Sequence, residues 1–226
     1  MIRNAHRTVG AHVLAALAVS LGLPCTAAAL PLISEVFYDA SGSDNGLSFV
    51  ELWGTPGTDL TDMTLEGVNG SNGAVAPTVT LSGVIPADGL FVVADDAGDG
   101  TSSVLEADLI ANFDFQNGPD SIVLRGSGGD ARDAIGYGVF DAGEIFAGEG
   151  SPAPDPAADS SLARRFANLD SDDNAADFEV LGVPTPGSAP LSAIPEPRSA
   201  ALLALGISLL ARVGSPRVDS SQGRRS

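Results

Sequence analysis

Between residues 30 and 193 the chain alternates short apolar runs with clusters of Gly, Pro, Asn and Asp. The runs at 31–38, 48–53, 63–68, 78–81, 90–94, 121–125, 134–136, 162–166 and 178–181 have the length of strands and are bounded by turn-forming residues. In the second of them Phe49, Glu51 and Trp53 fall on one face of a strand, and Val50 and Leu52 on the other. Asn72-Gly73, Pro86-Ala87-Asp88-Gly89 and Gly126-Ser127-Gly128-Gly129 mark turns. No stretch between the two ends of the chain sustains a helical period over three turns, and no fixed repeat recurs. Many short strands with Gly-rich turns predict an all-β sandwich or barrel. Phe37, Val50, Leu52, Leu65, Val92, Ile122, Leu124 and Ile135 are its expected buried or sheet-packed positions.

The two ends break this pattern. Arg3 and Arg7 precede a largely apolar run from Val9 to Leu23, and Ala27 and Ala29 occupy the small-residue positions of a cleavage site. That order is the order of a secretory signal peptide, so residues 1–29 are expected to form a signal helix removed by signal peptidase. Cys25 after an apolar stretch raises the alternative of a lipoprotein signal, but Pro24 stands where a small residue is required. At the other end Pro195-Glu196-Pro197 and Arg198 precede an apolar run over residues 199–211, and Arg212, Arg217, Arg224 and Arg225 follow. As a helix that run spans about 20 Å, against roughly 30 Å of bilayer hydrocarbon. A short span with a basic end suits transient insertion and processing better than permanent anchoring. A plain single-span anchor is the alternative.

Charge and inventory narrow the chemistry. Of the 226 residues 29 are acidic and 11 are basic, a net charge of −18; all the basic residues are Arg. Residues 30–193 alone hold 27 acidic and four Arg side chains, a local net charge of −23. Such a surface stays soluble, attracts cations and repels nucleic acid, which needs a basic stripe. His6, His12 and Cys25 all precede Leu30. An exported chain starting there has no imidazole base, no thiol nucleophile and no disulfide, so His- or Cys-dependent catalysis and zinc ligation are excluded. Carboxylates remain. Glu35 and Glu51, each within an apolar strand, are the candidates for a paired-carboxylate hydrolase, and Phe49 with Trp53 for a sugar-stacking platform.

Hard-cation ligands are the other possibility. Asp170, Asp172 and Asn174 place oxygens at alternate positions of one loop, as calcium requires. Ala175 and Leu181 stand where an EF-hand has Gly and Glu, so this is not that motif. Residues 95–100, Asp95-Asp96-Ala97-Gly98-Asp99-Gly100, form a second loop of the same quality. Residues 148–158 read as a flexible Pro/Ala-rich excursion, and 183–195 as an extended Pro-rich linker.

In order, Ile33-Ser34-Glu35-Val36, Phe49-Val50-Glu51-Leu52, Asp59-Leu60-Thr61-Asp62-Met63-Thr64-Leu65 and Asp88-Gly89-Leu90-Phe91-Val92-Val93 form a recognisable series. It continues through Asp120-Ser121-Ile122-Val123-Leu124, Asp133-Ala134-Ile135-Gly136-Tyr137-Gly138, Ser161-Leu162-Ala163-Arg164, residues 172–178 and Pro184-Thr185-Pro186-Gly187. The series resembles a bacterial lamin-tail domain. The resemblance implies an immunoglobulin-like β-sandwich over residues 30–190, with Met63 where the family often carries Trp. Residues 194–226 resemble a PEP-CTERM sorting signal with Pro195, Glu196 and Pro197 as its motif, which implies cutting near that motif by an exosortase-type transpeptidase. Residues 191–226 are then linker and sorting segment. The combined expectation is an exported surface or matrix protein with a non-enzymatic module whose partner is a surface polysaccharide or protein. A calcium- or carbohydrate-binding module and a carboxylate hydrolase are the alternatives.

Overall fold

The computed structural model describes residues 30–192. The signal segment, the Pro195-Glu196-Pro197 motif and the apolar run at 199–211 lie outside the described residues. Ten strands and one helical turn follow one another: β1 (Leu32–Phe37), β2 (Phe49–Trp53), β3 (Thr64–Asn69), β4 (Val75–Thr80), β5 (Leu90–Asp95), β6 (Ala107–Ala111), β7 (Asp120–Arg125), β8 (Ala131–Tyr137), β9 (Ser161–Arg164), α1 (Asn174–Asp177) and β10 (Phe178–Leu181). Six strands form one sheet in the order β10-β9-β1-β2-β5-β6, and four form a second in the order β4-β3-β7-β8. The named pairings are antiparallel except the parallel β5–β6 contact.

The two sheets face each other across one core. Ile33, Val36, Val50, Leu52, Phe91 and Val93 from the six-stranded sheet join Leu65, Val79, Ile122, Leu124 and Ile135 from the four-stranded one. The described residues therefore form an all-β sandwich, with the inward-facing residues of both sheets in that core. Met63 is buried in the same cluster.

A register irregularity in β1 sets up the rest. Ile33 pairs with Leu52 and Glu35 with Glu51, so Ser34 is the extra residue of a bulge. Ile33 and Val36 are thereby both in the core, while Glu35 and Phe37 pair across from Glu51 and Phe49. Phe37, Phe49 and Val92 form a separate buried cluster with Ala40, and the half-buried Val104 packs on it. Six of the eight expected buried positions thus lie between the sheets, and Phe37 and Val92 lie in this second cluster.

Nine strands fall where the apolar runs predict them. β6 does not: at the sheet edge its inward Ala107, Leu109 and Ala111 are only half-buried, and the exposed Asp108 and Ile110 between them give no consistent polar face. Residues 148–158 are not a free excursion. Ala153 N donates to Gly136 O (2.7 Å), and Ala153 bridges Tyr137, so the loop is bonded along β8, the edge strand of the four-stranded sheet. At Gly148 a Cβ would lie 2.4 Å from both Gly136 N and Asn174 Oδ1, so only glycine permits the approach. Residues 183–192 also depart from the extended linker that composition predicts. They bend through a turn and pack on the sandwich.

Among the described residues, no helix is long and apolar enough to cross a membrane.

Candidate functional site

β1 and β2 hold Glu35 and Glu51 opposite each other, and residues 183–192 cover them. Glu51 is fully buried and Glu35 is 1% exposed. Ser161 Oγ and Thr185 N donate to Glu35 Oε1 (2.5 and 2.9 Å), and Thr185 Oγ1 donates to its Oε2 (2.7 Å). Ser34 Oγ donates to Glu51 Oε1 (2.6 Å) and Gly187 N to its Oε2 (2.7 Å). All four carboxyl oxygens are therefore bonded within the chain. Burial pushes the Glu51 carboxyl up to about 7; the bonds from Ser34 and Gly187 oppose that shift, and the negative charges of Glu35 and Asp88 add to it.

The covering segment owes its shape to Thr185-Pro186-Gly187-Ser188. Ser188 N donates to Thr185 O (3.0 Å), and Gly187 has φ +79°. Pro followed by a positive-φ Gly is the pattern of a type II turn. A shallow groove of about 240 Å³ opens beside it, lined by Phe37, Leu47, Phe49, Val104, Pro184 and Pro186 among others. Further along, Ala167 N donates to Pro190 O (2.9 Å), and the Asn168 amide exchanges two hydrogen bonds with the Ser192 backbone. Phe49 is itself buried under this face, with its ring 6.0 Å from that of Phe37. It therefore presents no open face for stacking a sugar; Trp53 is half-buried.

A second buried charge centre lies where β1, β8, β9 and α1 meet. Arg164, 1% exposed, donates through Nη2 to both Asp133 oxygens (3.0 Å each), through Nη1 to Asp177 Oδ2 (2.9 Å) and Asp170 Oδ1 (3.3 Å), and through Nε to Ile33 O (3.1 Å). Its guanidinium also lies 4.6 Å from the centre of the Phe178 ring. Asp133 additionally accepts from Ile33 N and Ala134 N. Oxygens of Asp133, Glu149 and Asp170 lie within 4.8 Å of one another, the spacing of a cation site. Arg164 already supplies a cation there, and Asp133 has little acceptor capacity left. Burial, with the charges of Asp133 and Asp170, pushes Glu149 up to about 8, and its buried Oε2 bonds to no protein group.

The loop residues read as calcium ligands are placed differently. Asn174 Oδ1 accepts from Gly136 N (2.8 Å) and Glu149 N (2.9 Å), and its Nδ2 donates to Ala134 O (2.8 Å). That side chain is buried and fully used in tying α1 to β8. Asp170 turns toward Arg164 and accepts from Asp172 N (3.1 Å), while Asp172 sits exposed at φ +56°. The fold thus groups Asp170 with Asp133 and Glu149 rather than with Asn174. In the second loop Asp95 accepts from Gly46 N and Phe113 N, and Asp96 Oδ1 from the amides of Gly98, Asp99 and Gly100. Those amides hold the Asp96 carboxyl below its ordinary range. Asp96 closes its own turn, the usual task of Asp in such loops, while the buried Asp95 ties the end of β5 to the distant segments at Gly46 and Phe113.

Arg164, Asp133, Glu149 and Asp177 do not stand out in the sequence, since each comes from a different segment. The one local signal is an Arg inside an otherwise small and apolar strand, Ser161-Leu162-Ala163-Arg164, in a region with only four Arg. No family model matches the chain, and comparison with curated proteins finds no match.

Proposed function

We propose that this is an exported surface or matrix protein whose sandwich is a non-enzymatic binding or structural module of the immunoglobulin-like, lamin-tail type. One observation carries the reading: the two carboxylates best placed for chemistry are consumed in holding the C-terminal strap, residues 183–192, against the sheet. A hydrolase would need those oxygens free to meet substrate and water. With the strap docked, Thr185 and Gly187 occupy them.

Ser192, bonded to Asn168, stands three residues before Pro195-Glu196-Pro197 in the sequence, so the proposed sorting motif is separated from a docked residue by only two positions. Export by signal peptidase and cutting by an exosortase-type transpeptidase complete the route. The test is the intact mass and N-terminal sequence of the protein extracted from its own cell surface. A start near Leu30 and loss of residues 199–226 support the reading. A start at Met1, or a mass retaining the Arg-rich tail, overturns it.

A further inference from the structure

Residues 183–192 cross the six-stranded sheet without adding a strand to it. Two sets of contacts hold them: Thr185 and Gly187 on the Glu35–Glu51 pair, and Ala167 and Asn168 on Pro190 and Ser192. The first set is electrostatically one-sided. From β1 comes Glu35, directly across from Glu51 in register. β5 opposes Glu51 with Val92, and the turn before β5 brings Asp88. Beside Gly187 the cleft wall adds Glu106 and Asp108 from β6 and the turn preceding it. β9 contributes the Ser161 hydroxyl, and the strap itself no titratable side chain. Arg164 and Glu179 line the neighbouring cavity with Glu35, but the Arg164 guanidinium is bonded to Asp133, Asp170 and Asp177. Among the described residues, the hydrogen-bond partners of Glu35 and Glu51 are hydroxyls and amides, with no cation among them.

We propose that residues 183–192 are a releasable strap, held shut over the Glu35–Glu51 pair by its own amide and hydroxyl donors and opened by the repulsion between the two carboxylates once both are charged. Like charges directly opposite on neighbouring strands destabilise a sheet, and burial removes the water that would screen them. Opening returns both to solvent. Burial and the surrounding acids push Glu51 up to about 7, so the closed form binds a proton more tightly than the open form does. The strap is accordingly closed in acidic surroundings and loosens as the pH rises toward neutrality. Release also removes Pro184 and Pro186 from the rim of the Phe37–Phe49 groove and frees the chain leading to residue 195. That last consequence rests on the sorting proposed above; the strap does not, and its test is independent of processing.

The experiment is hydrogen–deuterium exchange on the full chain in mild detergent, with a chelator present, between pH 5.5 and 8.5 and corrected for intrinsic exchange rates. Peptides covering 183–192 are expected to lose protection by up to about tenfold per pH unit as the pH rises to 7 and to level off above it, while β7 keeps its protection. Glu51→Gln keeps the strap protected at pH 8. A strap whose protection is flat across the range, or a Glu51→Gln protein with the wild-type slope, overturns the proposal. If β7 protection shows that Glu51→Gln does not fold, Glu35→Gln decides. Removing that charge takes away one cause of the raised Glu51 value, so the loss of protection is expected to level off at lower pH and to be smaller in extent, and an unchanged extent overturns the proposal.

Discussion

The sandwich buries carboxylates in two places and neutralises them in two ways. At the junction of β8, β9 and α1, Asp133 and Asp177 surround a guanidinium that offers five donors in a fixed fork. On the six-stranded sheet, Glu35 and Glu51 have only hydroxyl and amide donors, most of them from a strap joined to β10 by Gly182. An ion pair keeps its attraction over a wide pH range, whereas neutral donors stabilise each carboxylate without cancelling the repulsion between the two, which falls away only when one carries a proton. The first centre is a clamp between elements distant in the chain. The second ties the sheet to a segment that can leave it.

The comparison breaks most severely at Arg164. Arg164→Ala leaves Asp133 and Asp177 buried without a cation and should cost about 3–5 kcal/mol in denaturant unfolding, since uncompensated buried charge dominates such losses. A cost below about 1 kcal/mol would mean that the carboxylates protonate or rehydrate freely and that the two centres are alike.

The pH dependence of global stability comes next in size. Glu51 and Glu149 hold protons more tightly folded than unfolded, at about 7 and about 8. A carboxyl raised in the folded state contributes stability that is complete below its unfolded range, roughly pH 4.5, and is lost as the pH rises through its folded value. The melting temperature should therefore fall between pH 5.5 and 8.5. In urea titrations Glu51→Gln should remove about 2 kcal/mol of that dependence. A protein equally stable at both ends of the range would contradict the assignment of Glu51.

Two smaller changes separate the halves of the strap. Gly187→Ala forces a side chain into left-handed backbone, and its Cβ would lie 3.0 Å from Glu106 Cβ. It should weaken strap closure by about 1–2 kcal/mol. Asn168→Ala removes both bonds to Ser192 and should cost on the order of 1 kcal/mol, confined to residues 190–192. Exchange measured peptide by peptide distinguishes them: Gly187→Ala should expose the strap from 183 onward, Asn168→Ala only its end. Equal loosening along the whole strap in both variants would show that it opens as one unit.

How far the amino-acid sequence alone determined this protein differs between fold and site. The strands were legible because alternation and turn chemistry are local: Val50 and Leu52 against Phe49 and Glu51 announce a strand with two faces, and Asn72-Gly73 announces a turn. β6 was not, since its half-buried Ala107, Leu109 and Ala111 alternate with one acidic and one apolar residue, Asp108 and Ile110, and show no clean polar face. Glu35 and Glu51 were visible as carboxylates in apolar strands, but their pairing depends on the bulge at Ser34, and a one-residue slip would have reversed the faces. The composition of 183–192 spoke for a free linker. Only the tertiary structure supplies the buried acceptors that dock it. The loop spacing that grouped Asp170, Asp172 and Asn174 was equally blind to Gly136 and Glu149, whose amides claim the Asn174 side chain across the fold. Residue type and spacing fix what a side chain can bond, but burial and the partners brought from distant segments decide which of those bonds it makes.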